Sequence, residues 1–134
     1  MTLTRRLLMA WLLLLPAAWV QATPTPAQES ARIEGLIASV QQLKGAVFIR
    51  NGEQHSAAAA ADHLRLKWKN AGSRVRTAED FIRVCATGSS MTGRKYRIRF
   101  GDGRTQDSAD YFRAQLRRID AGRAAARPSA SEPG

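Results

Sequence analysis

One cysteine, two histidines and an aromatic share of 7% are all that this 134-residue chain has of the residue types that most often build disulfides, metal sites and stacking platforms. With Cys85 alone, an intramolecular disulfide is excluded, and stability has to come from packing. His55 and His63 lie eight residues apart, across a turn and two helical turns. That is not a zinc spacing, so neither a metal nor a cofactor is expected. There is no Gly-rich phosphate loop, no internal repeat and no strained Gly-x-Ser-x-Gly elbow that would expose a nucleophilic serine. Long hydrophobic runs are missing as well. The apolar stretch from Leu7 to Leu15 is interrupted by Pro16 and falls short of the roughly 20 residues a spanning helix needs.

That short stretch has a different reading. Arg5 and Arg6 give it a basic start and Val20-Gln21-Ala22 a small-residue cleavage site, so residues 1–22 are expected to be a cleavable secretory signal and the mature protein periplasmic. Acidic residues are scarce: 21 Lys and Arg face 11 Asp and Glu, a formal net charge of +10, which falls to +8 once Arg5 and Arg6 leave. Such a surplus draws a protein to anionic surfaces. Export removes nucleic acid from consideration, and only Trp68, Tyr96 and Tyr111 offer themselves as surface aromatics for stacking. The expected partner is an envelope protein or an anionic envelope component.

The periodicities predict an α+β domain, mainly helical, with about four helices and a small two-stranded sheet. Residues 23–30, with Pro24 and Pro26, read as an extended leader, 31–122 as one globular domain and 123–134 as a disordered tail. Ile33, Leu36, Ile37, Val40 and Leu43 form the stripe of a first helix. Ala46 to Ile49 reads as a buried strand ending at an Asn51-Gly52 turn, since both residues tolerate positive φ. Ser56 caps a second helix with Ala57, Ala60, Ala61, Leu64 and Trp68 inward, and Thr77 caps a third that buries Ala78, Phe81, Ile82 and Cys85 and ends at Gly88. Lys95 to Phe100 alternates, with Tyr96, Ile98 and Phe100 on one side and three cations on the other. Asp107 or Ser108 opens a last helix, stopped by Gly122.

The candidate binding residues fall in the joints between these elements: Arg50, Asn51, His55, Lys67, Arg74, Ser89, Ser90, Thr92, Arg97 and Arg99. If the two strands pair, Arg50 comes near Arg94 to Arg99, and the neighbouring hydroxyls complete a site for a carboxylate or phosphate. The expected function is therefore noncatalytic binding through a basic face. The alternative is an envelope hydrolase using His55 as base with Ser89 or Ser90 as nucleophile. His55 is otherwise expected to bond backbone groups at the start of the second helix, and His63 to sit at the edge of a packed face.

Several of these stretches together resemble the YfeK-like proteins, a family of small exported bacterial proteins with a domain of unknown function. The resemblance rests on Phe48-Ile49-Arg50-Asn51-Gly52 with His55, His63-Leu64-Arg65 with Lys67, Thr77-Ala78-Glu79 with Phe81-Ile82, and Ser89-Ser90 with Thr92-Gly93 and Tyr96. It covers roughly Ile33 to Leu116. Thr92 stands where a serine is usual, and Lys95 where a proline is expected. The resemblance implies export and a compact domain, and no reaction.

Overall fold

The computed structural model of the protein describes residues 23–127. The segment read as a signal, 1–22, and the end of the tail, 128–134, lie outside the described residues. Four helices, α1 (Pro26–Gln41), α2 (Ala57–Ala71), α3 (Ala78–Cys85) and α4 (Ser108–Ala125), combine with four short strands, β1 (Val47–Arg50), β2 (Glu53–His55), β3 (Arg97–Arg99) and β4 (Thr105–Asp107). No helix among the described residues is long and apolar enough to cross a membrane.

The α+β class and the helical majority hold, but the sheet has four strands, not two. Its order is β2-β1-β3-β4, with every neighbouring pair antiparallel. The two expected strands do pair, with Ile49 opposite Arg97. Each acquires an outer neighbour through a tight turn, and Asn51 and Gly52 reach φ values of 52° and 80° in the first of these. Asn and Gly accept that left-handed region at least cost.

Three boundaries differ from the sequence reading. The expected leader is helical from Pro26, because Thr25 and Gln28 form a reciprocal capping box and a proline in the first turn has no N–H to leave unpaired. At the other end, α4 runs through Gly122 to Ala125 and takes in the first residues of the expected tail. Glycine weakens a helix by about 1 kcal/mol, which does not end one that continues into alanines. Gly88 does not close α3, which ends at Cys85. Gly88 instead bridges to Lys95, and a Cβ there would stand 2.8 Å from the Arg94 carbonyl oxygen. Only glycine lets those two backbones approach so closely.

The caps at Ser56 and Thr77 are as expected. Ser56 Oγ accepts the Ala59 N–H, and Thr77 forms a capping box with Asp80. Asp80, accepting the Arg76 and Thr77 N–H groups and pairing with Arg83, has its carboxyl held below the usual range, chiefly by the Arg76 backbone bond. The helices enclose a core of Ile33, Leu36, Ile37, Val40, Phe81 and Phe112, onto which the sheet lays Phe48 and Ile98. Trp68, Phe81, Phe112 and Tyr111 continue it as edge-to-face pairs. Tyr111, offered as a surface aromatic, is buried, and Tyr96 is buried as its place on the apolar side of the alternating strand implies. Cys85 is fully buried among apolar neighbours, and burial pushes its thiol pKa up, so the thiolate is disfavoured.

One ionic cluster ties three helices together. Arg32 donates to Glu29 at 2.9 Å, to Glu79 at 2.9 Å and, through both Nε and Nη2, to Asp120 at 2.9 and 2.8 Å. Glu29 also accepts the Ala78 N–H, an otherwise open donor at the start of α3. The bonds to Asp120, then those to Glu79 and Glu29, raise the Arg32 pKa further above its ordinary value.

Candidate functional site

Strand register decides which side chains meet. Residues directly opposite across an antiparallel pair share a face, and neighbours along a strand point to opposite faces. Phe48 stands opposite both His55 and Ile98, and Arg50 opposite Glu53, so these residues lie on the face that meets the helices. Val47 opposite Arg99, and Ile49 opposite Arg97, define the outer face, where both aliphatic residues stay half-buried and outside the core. The single basic face expected for Arg50, Arg97 and Arg99 is therefore divided. Arg50 faces inward with His55, while Arg97 and Arg99 face outward.

On the inner side, β1, β3 and α2 border a small pocket of about 40 Å³. Phe48, Ile49, Ala60, Leu64 and Phe112 supply apolar wall, and Arg50, His55, His63, Tyr96, Arg97 and Ser108 complete a lining whose open surface is almost wholly apolar. His63 and Lys67 lie one helical turn apart on α2 and meet the same tyrosine. Lys67 Nζ donates to the Tyr96 hydroxyl and to the Gly88 carbonyl, both at 3.0 Å, and lies 4.8 Å from the Tyr96 ring centre. With its oxygen occupied as acceptor, Tyr96 has its proton free for His63 Nε2 at 3.4 Å. His63 suits that role because its pKa is held down to about 4, first by burial and then by the charges of Arg50 and Lys67 and by His55.

His55 does not bond the start of α2, where Ser56 provides the cap. Its Nε2 is buried with no hydrogen-bond partner, and the nearest carboxylate oxygen, on Glu53, is 3.9 Å away and out of range. Arg50 likewise makes no side-chain hydrogen bond or ion pair among the described residues. A cation and a ring nitrogen thus border one pocket without a protein acceptor between them.

The loop residues have a different job. Asn51 donates from Nδ2 to Ser89 Oγ at 3.3 Å and accepts the Thr92 hydroxyl at 2.6 Å, fastening the β1–β2 turn to residues 89–93. Ser89 Oγ also accepts the Met91 and Thr92 N–H groups, and Ser90 is exposed. Neither serine bonds His55. Arg74 stands apart in a 3-10 turn, Gly72–Arg74, donating to the Ala71 carbonyl. On the outer face Lys95 and Arg97 share Asp107, at 3.5 and 3.7 Å, while Arg99 has no carboxylate within ion-pair distance among the described residues.

Of the expected binding residues, Arg50, His55 and Arg97 line the pocket and Lys67 reaches Tyr96 beside it, while the lining residues His63, Tyr96 and Ser108 were not among those expected. The four-residue step from His63 to Lys67 was a usable signal for the first. The approach of Tyr96, on a distant strand, was not.

The protein of this architecture has known relatives. Residues 27–120 match a family of unknown function, DUF5329. An uncharacterized protein, YfeK, of Salmonella typhimurium is 44% identical over 87 residues, which span 65% of this chain and 69% of that one. No solved structure matches the chain. Since the family match takes in the four helices, the sheet and the pocket between them, the chain belongs to the YfeK-like family of unknown function, DUF5329.

Proposed function

We propose that the protein is an exported binding module that engages an anionic envelope component through the outer face of its sheet, without performing chemistry on it. The observation that carries this reading is the register of β1 with β3. It sets Arg99 opposite Val47 and Arg97 opposite Ile49, both half-exposed, and Lys95 shares with Arg97 the one carboxylate, Asp107, that pairs with any of the three cations among the described residues. Cations flanking apolar surface suit an anionic amphiphile, whose charge meets the arginines while its apolar part covers the aliphatic strip. Hydrolysis by His55 with Ser89 or Ser90 has less support. Ser89 is engaged in holding its loop, Ser90 points to solvent, and a nucleophile needs its base within hydrogen-bond reach.

Cosedimentation with anionic and neutral liposomes tests the proposal, comparing the wild type with Lys95→Ser, Arg99→Ser. Those two positions are chosen because Arg97 also borders the pocket. A cation near an anionic membrane contributes about 1 kcal/mol, so the double variant should bind anionic liposomes more than about tenfold more weakly at low salt. The difference should shrink as salt shortens the screening length. Equal binding by both proteins at every salt concentration would reduce this face to solvated strand surface.

A further inference from the structure

We propose that the pocket between β1, β3 and α2 is a binding site for a carboxylate carried on a short apolar stem. This site shares Ile49 and Arg97 with the outer face but not Lys95 or Arg99, so the two can be tested apart. Three observations combine. First, Arg50 borders the pocket with no hydrogen bond or ion pair from its side chain among the described residues, although Glu53 is its opposite number across the strands. Second, His55 lines the pocket, and its Nε2 is shielded from solvent with no hydrogen-bond partner among the described residues, the Glu53 carboxylate lying 3.9 Å away. Buried polar atoms in native folds are nearly always satisfied, and one that is not is open to an acceptor brought by a ligand. With its proton on Nε2, His55 donates one hydrogen bond, and the guanidinium of Arg50 offers a planar fork. Third, the rest of the lining is largely hydrocarbon, from Phe48, Leu64 and Phe112.

Charge and size narrow the occupant. The field inside is positive, since Arg50 and Lys67 help to keep His63 neutral down to about pH 4. Two arginines border the pocket, and with Arg97 lying 3.7 Å from Asp107, Arg50 is the one without a carboxylate partner among the described residues. A volume of about 40 Å³ is far below the roughly 300–1,000 Å³ of a metabolite pocket, so only the end of a molecule enters. A carboxylate has two coplanar oxygens, which an arginine fork meets in parallel, and a small alkyl stem fits against the wall. A phosphate dianion presents more oxygens and more charge than this mostly apolar lining can satisfy.

Two-bond 1H–15N imidazole spectra of the 15N-labelled protein, titrated with propionate and separately with inorganic phosphate, read the site directly. Propionate should shift the His55 ring signals saturably. Arg50→Gln should weaken that binding by about tenfold or more, the equivalent of one charge-assisted hydrogen bond. Arg50→Lys keeps the charge without the fork and should also bind more weakly, and it supplies the same comparison should Arg50→Gln lose its dispersed amide spectrum. Lys95→Ser, Arg99→Ser should leave propionate binding unchanged, so failure at one face is distinguishable from failure at the other. Three results would each overturn the assignment: no saturable His55 shift with propionate, phosphate binding as tightly as propionate, or undiminished affinity in both Arg50 variants.

Discussion

Two arginines, Arg32 and Arg50, show two ways in which this small domain holds a cation close to its core. Arg32 is 7% exposed, and three carboxylates from α1, α3 and α4 occupy its donors. Arg50 stands on a strand beside a pocket with two histidines and a tyrosine and is paired with no carboxylate among the described residues. Burying Arg32 costs desolvation energy, whereas Arg50 is half-exposed. In the first that cost is offset within the fold, and the arrangement reads as structural. In the second no complementary charge stands among the described residues, and a cation so placed is where a ligand is to be sought.

The largest effect should come from breaking the closed cluster. Arg32→Met leaves Glu29 buried without its cation and removes the link between α1, α3 and α4, and should cost about 3–5 kcal/mol. The exposure of Glu79 and Asp120, at 61% and 45% of their side chains, favours the lower end, because water can replace part of what those two lose. Arg50→Gln should stay within about 0.5 kcal/mol of the wild type. Urea denaturation of both variants checks the pair of values, and equal losses would erase the distinction between the two arginines.

A second test concerns the open region. His63 is held neutral in the folded protein to about pH 4, whereas in the unfolded chain it takes up a proton near its ordinary value. Between those two values the unfolded state binds the extra proton, so stability should fall as pH falls through that window. The loss should be about 1–3 kcal/mol between neutral pH and about pH 4.5, and His63→Gln should flatten the slope. Denaturation midpoints at the two pH values measure it. A wild-type curve no steeper than that of the variant would mean that burial and the neighbouring charges do not hold His63 neutral.

The smallest effect sharpens the closed side. Thr77→Ala removes half of the capping box next to the Glu29 contact at the start of α3 and should cost about 1 kcal/mol. Chemical denaturation would show whether the cap and the ion cluster are coupled. The double variant with Arg32→Met should lose less than the sum of the two single losses if both hold the same helix end.

Local rules made much of this fold legible. The Ser56 and Thr77 caps, the Asn51-Gly52 turn and the stripe of Ala78, Phe81, Ile82 and Cys85 each depend on residues within a few positions of one another. β2 and β4 were not legible, because Glu53-Gln54-His55 and Thr105-Gln106-Asp107 have no apolar alternation and are held as strands by their neighbours' backbone. The face of Arg50 was misread for a related reason. A one-residue change of register exchanges the two sides of a strand, and the sequence contains no statement that Ile49 meets Arg97. Arg32 advertised its tie to Glu29, three residues back. Its partners Glu79 and Asp120 lie 47 and 88 residues away, beyond any spacing rule.

The contacts between the first turns of α1 and the last turns of α4 have a mechanical consequence. Arg123 donates to the Gln28 carbonyl at 3.1 Å, and Arg32 grips Asp120 just beyond, so both ends of the domain leave from the same side. A force applied to the two ends would meet these links one after another and open them like a zip, without shearing the sheet. The same closeness would let a short linker join the ends while new termini are opened at the exposed Gly101–Gly103 turn.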